Sequence, residues 1–133
     1  RGLPAGQGRP MTSGDKPPRK TGIAHFRAAA GYSLEGLQRL ARESAFRQEA
    51  LFIAGLVVVF LILGASTAEI AGLLALGLVL VAVEALNTAI EVLVDHLSPG
   101  WSEWAKEAKD LGSLAVACTI GAIVLYAGIV LIL

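Results

Sequence analysis

Glu84, Asn87, Glu91 and Asp95 follow one another at intervals of three and four residues, the spacing of one helix face. At about 100° per residue they fall within a sector of roughly 80°, in a stripe on the order of 16 Å long. The stripe continues an uncharged apolar run, Ile70 to Val83, so it belongs to a helix expected to enter a membrane. An ionised carboxylate facing lipid is costly, and intramembrane acids usually face a bundle interior or a cavity. Ala82, Ala85 and Ala89 occupy roughly the opposite side, where small residues permit close helix contact. Carboxylates placed this way can hold a hard cation, because Mg²⁺ takes oxygen ligands, typically one or two carboxylates together with substrate phosphates. A further carboxylate can take the proton from an attacking hydroxyl. Glu84, deepest in the stripe, is placed to meet an alcohol at the lipid boundary. Lys109, followed by Asp110, supplies a point charge for phosphate. Together these residues have the components of a metal–nucleotide site.

Other chemistries lack support. No G-x-x-x-x-G-K-[ST] or G-x-G-x-x-G occurs, so any phosphate cradle must be built from helices and side chains. The protein-kinase signature set is absent too, and no Cys/His spacing suits zinc. On chemistry alone, an ion or proton pathway competes with an enzyme, since intramembrane carboxylates also serve proton relays. A packing role for Asn87 and Thr88 is the third reading.

The elements that must position the stripe are helical. Ala50 to Ala68 is uncharged and long enough to cross a hydrocarbon core of about 30 Å. After Glu69, a second span runs from residue 70 to about 94 and carries the stripe at its end. Ser66-Thr67-Ala68-Glu69 then reads as a short connection of a helical hairpin, and Ser98-Pro99-Gly100 ends the second helix. Trp101 to Asp110 is amphipathic, with tryptophans suited to the membrane–water interface, and 111–133 is the third span. Within it, Ala117 and Gly121 form a small-xxx-small pair. Upstream, Ile23 to Ser44 has helical apolar spacing at Phe26, Ala30, Leu37 and Ala41, with Arg39 and Arg42 on the polar side. This fits a helix lying in the bilayer interface, with Gly31 and Gly36 as places for a bend. Arg42 to Glu49 is a charged cluster before the first span, readable equally as a snorkelling interfacial flank or as the source of a partner for the stripe, Glu43. The fold class is therefore an all-α membrane protein, with an N-terminal amphipathic surface helix and three transmembrane helices.

Composition agrees. The chain has 133 residues and 55% hydrophobic content, concentrated after Ala50, while the N-terminal fifty residues hold most of the Lys and Arg. A formal charge of zero gives no global basic field for nucleic acid. Residues 1–22 form a Gly-, Pro- and Lys/Arg-rich tail expected to be disordered, with Met11 as a candidate start and residues 1–10 as candidate non-native sequence. The domain proper is 23–133. Cys118 is expected to be an inert buried thiol. The basic residues lie in the N-terminal region and the 96–110 loop, so the positive-inside rule places both in the cytoplasm and the C-terminus outside.

Four pieces of the chain resemble the small bacterial integral-membrane diacylglycerol kinases, a family that includes the related undecaprenol kinases. They are Ala30-Gly31-Tyr32-Ser33, Glu43 with Ala45-Phe46-Arg47-Gln48-Glu49, Glu84-x-x-Asn87-x-Ala89-Ile90-Glu91-x-x-x-Asp95, and Ala108-Lys109-Asp110-x-Gly112-Ser113. They occur in family order. The resemblance implies a homotrimer in the bacterial inner membrane that transfers the γ-phosphate of Mg-ATP to a membrane lipid hydroxyl. The implied acceptor is 1,2-diacylglycerol, yielding phosphatidate, with undecaprenol as the alternative. It makes Glu84 the general base and Glu43 and Glu91 the Mg²⁺ ligands, and it assigns Tyr32, Glu43, Glu91, Lys109 and Asp110 to ATP. Ser33, Ala45, Phe46, Arg47, Gln48, Glu49, Glu84 and Ser113 match the lipid-substrate region, while Asn87 and Asp95 match orienting positions. Two departures stand out. His25 occupies the place where proteobacterial members commonly have an arginine, and the interval from Gly36 to Phe46 is one residue short of the family pattern.

Overall fold

In a computed structural model, the structure describes residues 22–132. They form four helices, α1 (Ile23–Leu40), α2 (Ser44–Ile62), α3 (Thr67–Leu97) and α4 (Glu103–Ile132), with no strand among the described residues. The expected disordered tail over 1–22 lies outside the described residues, apart from Gly22. The chain divides into two compact units, 1–33 and 34–133. Three helices of 19, 31 and 30 residues, α2, α3 and α4, are long and apolar enough to cross a membrane. The protein is thus an all-helical membrane protein. At 1.5 Å per residue α2 measures about 28 Å and α3 about 46 Å. Against a hydrocarbon core of about 30 Å, α3 must carry one of its ends out of the apolar layer.

α1 runs unbroken through Gly31 and Gly36, so neither glycine makes the expected bend; a cost of about 1 kcal/mol each relative to Ala does not interrupt it. The chain breaks instead after Leu40. The Arg42 N–H donates to the Arg39 carbonyl at 3.2 Å and the Glu43 N–H to the Leu40 carbonyl at 2.9 Å, tightening the last turn. Arg47 Nη1 reaches back to the Arg42 carbonyl at 2.8 Å and the Ala41 carbonyl at 3.5 Å. Both carbonyls belong to the turn between α1 and α2. Glu43 then precedes α2 in an extended conformation, and its carboxylate pairs with Arg39 instead of capping the helix.

The far end of α2 is closed more completely. Gly64 has φ +74°, a left-handed conformation that glycine adopts without a Cβ penalty. Gly64 N–H donates to the Leu61 carbonyl at 3.3 Å and Ala65 N–H to the Phe60 carbonyl at 2.9 Å, the paired bonds of a Schellman motif. Ser66 follows as the N-cap of α3: its Oγ accepts from the Glu69 N–H at 3.3 Å, and its own N–H donates to Glu69 Oε2 at 2.6 Å. Ser66 to Glu69, expected as the connection, is therefore the capping box that starts the helix, and the turn proper lies one step earlier.

Both helix pairs run antiparallel, since Ile53 meets Gly77 and Tyr126 meets Gly72. On α3 the buried positions are Leu73, Gly77, Leu80, Glu84, Asn87 and Val94, and on α4 they are Ala105, Gly112, Val116, Ile123 and Ala127. Steps of three, four and seven on α3, and of four and seven on α4, make each set a single seam. Phe60, Leu73 and Ile123 are fully buried in it. Lipid tails are as apolar as these side chains, so the helices associate through close packing and interhelical hydrogen bonds. The close approaches occur at Gly72, Gly77 and Gly112. The face expected at Ala82, Ala85 and Ala89 is exposed on the single chain, as are Ala117 and Gly121. Cys118, expected to be buried, is exposed on α4 because it falls beside the seam.

Candidate active site

The α3 seam changes character along its length. From Leu73 to Leu80 it is apolar; at the next two buried positions it carries Glu84, 5% exposed, and Asn87, 8% exposed. Polar groups thus occupy core positions in place of Leu or Val. They open onto a cleft of about 250 Å³ lined by Glu43, Ser44, Ala45 and Glu49 before and on α2, by Glu84, Asn87, Thr88 and Glu91 on α3, and by Ser113 and Val116 on α4. Residues from three stretches of chain that lie far apart in sequence meet here. Glu84 stands within electrostatic reach of Glu91 and Glu43, and Glu49 within reach of Glu84.

Asn87 Nδ2 donates to Glu91 Oε1 at 3.3 Å. The buried Asn87 Oδ1 and Glu49 Oε2 have no hydrogen-bond partner among the described residues. Unsatisfied buried polar atoms are uncommon, and both belong to residues that line the cleft. Four carboxylates converge on the cleft, yet no group of three or more His, Cys, Asp or Glu among the described residues is arranged to hold a metal ion. Mg²⁺ needs less than that, one or two carboxylates with phosphate and water completing its shell. Glu43 and Glu91 present carboxylate oxygens, the hard donors such an ion takes, from two sides of the cleft, with Glu43 also paired to Arg39.

The remaining sequence-predicted residues divide. Asp95, Lys109 and Asp110 line a second cleft, of about 390 Å³, with Trp101, Ser102 and Lys106. There Lys109 Nζ donates to Asp95 Oδ1 at 2.5 Å and Lys106 Nζ to Asp110 Oδ2 at 2.5 Å. Phe46 and Gln48 are not among the residues lining either cleft, and Arg47 holds the turn after α1. Tyr32 and Ser33 belong to the first unit, where Ser33 Oγ donates to the Ala29 carbonyl at 3.0 Å. Ser44, Thr88 and Val116 join the cleft without having been singled out as ligands; Thr88 and Val116 sit one helical turn from residues that had been.

These features define a small helical membrane protein whose bundle seam opens, at one end, into a carboxylate-lined cleft. The family model for prokaryotic diacylglycerol kinase matches residues 31–131. The chain belongs to that family and is a lipid kinase, with ATP as the family's phosphoryl donor. It is 47% identical to a diacylglycerol kinase from Sinorhizobium sp., over 86% of this chain and 83% of that one. It is 41% identical to one from Pseudomonas aeruginosa, over 76% and 85%. Against one from Escherichia coli K12 the identity is 37%, over 75% and 83%.

Proposed function

We propose that this protein phosphorylates 1,2-diacylglycerol to phosphatidate at the cytoplasmic surface of the bacterial inner membrane, working as a homotrimer. The observation that carries this reading is the meeting of Glu43, Glu84, Asn87 and Glu91 on one cleft at the polar end of an otherwise apolar bundle. A lipid alcohol approaches such a cleft from the bilayer, and a nucleotide approaches it from water.

Glu84 is the general base. Its carboxylate accepts the proton of the lipid hydroxyl as that oxygen bonds to the γ-phosphorus of ATP; the bond from the γ-phosphorus to the bridging oxygen breaks, and ADP leaves with its electron pair. Phosphoryl transfer depends chiefly on positioning and charge neutralisation. Glu43 and Glu91 would hold Mg²⁺, which supplies positive charge against the phosphate oxygens when bound. Lys109 adds a cation for phosphate, leaving Asp95 when nucleotide enters. Tyr32 and Asp110 contact the nucleotide, and Asn87 and Asp95 orient their neighbours. Ser33, Ala45 to Glu49 and Ser113 receive the lipid. Basic residues before α2 and at the start of α4, Lys106 and Lys109, support an orientation with the N-terminus in the cytoplasm and the C-terminus outside.

Labelled ATP offered with diacylglycerol or undecaprenol in mixed micelles tests the reading. Label is expected in phosphatidate; exclusive labelling of undecaprenol overturns the acceptor, and labelling of neither overturns the kinase.

A further inference from the structure

Gly112 lies in the middle of a helix where its backbone makes no demand for glycine. Among the described glycines, only Gly22 and Gly64 have positive φ, so an alanine at 112 would suit the conformation of α4. Glycine inside a helix is in fact about 1 kcal/mol less favourable than alanine. The requirement comes from the facing helix. A Cβ built on Gly112 would overlap Asn87 Oδ1, and it would stand 3.2 Å from Asn87 Cγ and 3.9 Å from Asn87 Cα. The Asn87 amide lies against the bare Cα of Gly112.

That contact bears on how Asn87 is held. Its Nδ2 has a single hydrogen bond, to Glu91 Oε1 at 3.3 Å, and its Oδ1 has no hydrogen-bond partner among the described residues. One long hydrogen bond does not fix an amide against rotation. On the oxygen side it is packing against Gly112 that limits the rotamer. We infer that Gly112 is a positioning residue: by leaving room for the Asn87 amide and closing one side of it, Gly112 sets the direction in which Asn87 Nδ2 meets Glu91. An added methyl would push the amide off its rotamer, and so off Glu91, or move α4 away from α3, and so shift the Ser113 and Val116 side of the cleft. This rests on Asn87 and Glu91 being working parts of the kinase site, while the contact itself can be tested apart from activity.

The test compares Gly112→Ala, Asn87→Ala and the double variant in lipid–detergent micelles, reading turnover per folded protein and thermal unfolding in parallel. Misplacement by about 1 Å can cost about 10²-fold in rate, and Gly112→Ala should lose turnover on that scale, with Asn87→Ala losing at least as much. Residues that share one contact are non-additive, so the double variant should be no slower than Asn87→Ala alone and should unfold at a higher temperature than Gly112→Ala. If Gly112→Ala does not fold, recovery of a folded protein on adding Asn87→Ala carries the same meaning. Additive losses in unfolding, or a double variant that stays unfolded, overturn the contact. Coupled unfolding with normal turnover in Gly112→Ala overturns its link to the site and leaves the kinase reading untouched.

Discussion

Two glycines seat polar side chains across the contact between α3 and α4, one towards each end, and the seats are finished differently. Towards the turn that joins α2 to α3, Gly72 of α3 receives Tyr126 from α4; at the cleft, Gly112 of α4 receives Asn87 from α3. In the first seat the Tyr126 hydroxyl donates to the Glu69 carbonyl at 2.8 Å, and the ring stands 6.4 Å, centroid to centroid, from Phe60. Schellman motif and capping box satisfy the turn beside it. In the second seat Asn87 keeps an unpartnered oxygen, with Glu84 buried one turn away. The closed end holds the hairpin together. The open end holds its amide by one hydrogen bond to Glu91 and by packing against Gly112.

The sharpest way to break this comparison is to remove charge from the open end without changing its shape. Glu84→Gln keeps the size of the side chain but cannot take a proton at neutral pH. General-base contributions run to about 10²–10⁴-fold, and turnover should fall within that range. Unfolding temperature and binding of a non-hydrolysable ATP analogue should stay near those of the unaltered protein. A glutamate that served only packing would give the reverse pattern, an unstable protein with a proportionate loss of activity. Near-normal turnover in the well-folded variant would remove Glu84 from the base role.

At the closed end the expected signs exchange. A Cβ at Gly72 would overlap the Tyr126 hydroxyl, and overpacking of this kind typically costs about 1–3 kcal/mol. Gly72→Ala should therefore lower the unfolding temperature while turnover per folded molecule stays unchanged. A specific loss of turnover at full stability would show that the two ends do not divide their work in this way.

Much of the open end could be read from residue order. The intervals 84, 87, 91 place three side chains on one helix face, and the structure brings all three to one cleft. Asp95 shares that angular sector but lies eleven positions beyond Glu84, about 16 Å along the axis, and it lines the neighbouring cleft with Lys109. Periodicity gives angle; it does not divide a stripe into sites. The three spans were legible because an uncharged run of such length has few alternatives in water. Their ends were not. Leu40 stops α1 through backbone turns and an arginine that reaches back from Arg47, and Gly64 stops α2 through a conformation that its sequence neighbours do not announce. The glycine seats were illegible for a related reason. Gly72 and Gly112 are required by side chains fifty-four and twenty-five positions away, a distance at which no local pattern operates.

Tyr126→Phe gives the smallest effect and isolates one bond of the closed seat. It keeps the ring in the Gly72 seat and beside Phe60, so packing is retained and only the hydroxyl is lost. The Glu69 carbonyl lies in the first turn of α3, where the helix supplies it with an acceptor role of its own; losing the tyrosine donor does not leave it without a partner. Removing the hydroxyl relieves only part of the crowding at Gly72, because Tyr126 Cζ would still stand 2.8 Å from a Cβ there. Interhelical hydrogen bonds in a membrane contribute on average about 0.6 kcal/mol, and the loss should be of that order, seen as a slight fall in unfolding temperature with turnover unchanged. Combined with Gly72→Ala, the substitution should recover part of the stability lost by Gly72→Ala alone, because the nearest clashing atom is gone while the ring carbon still crowds the methyl. If the two losses simply add, the hydroxyl is not what makes Gly72 necessary, and the closed seat is held by the ring alone.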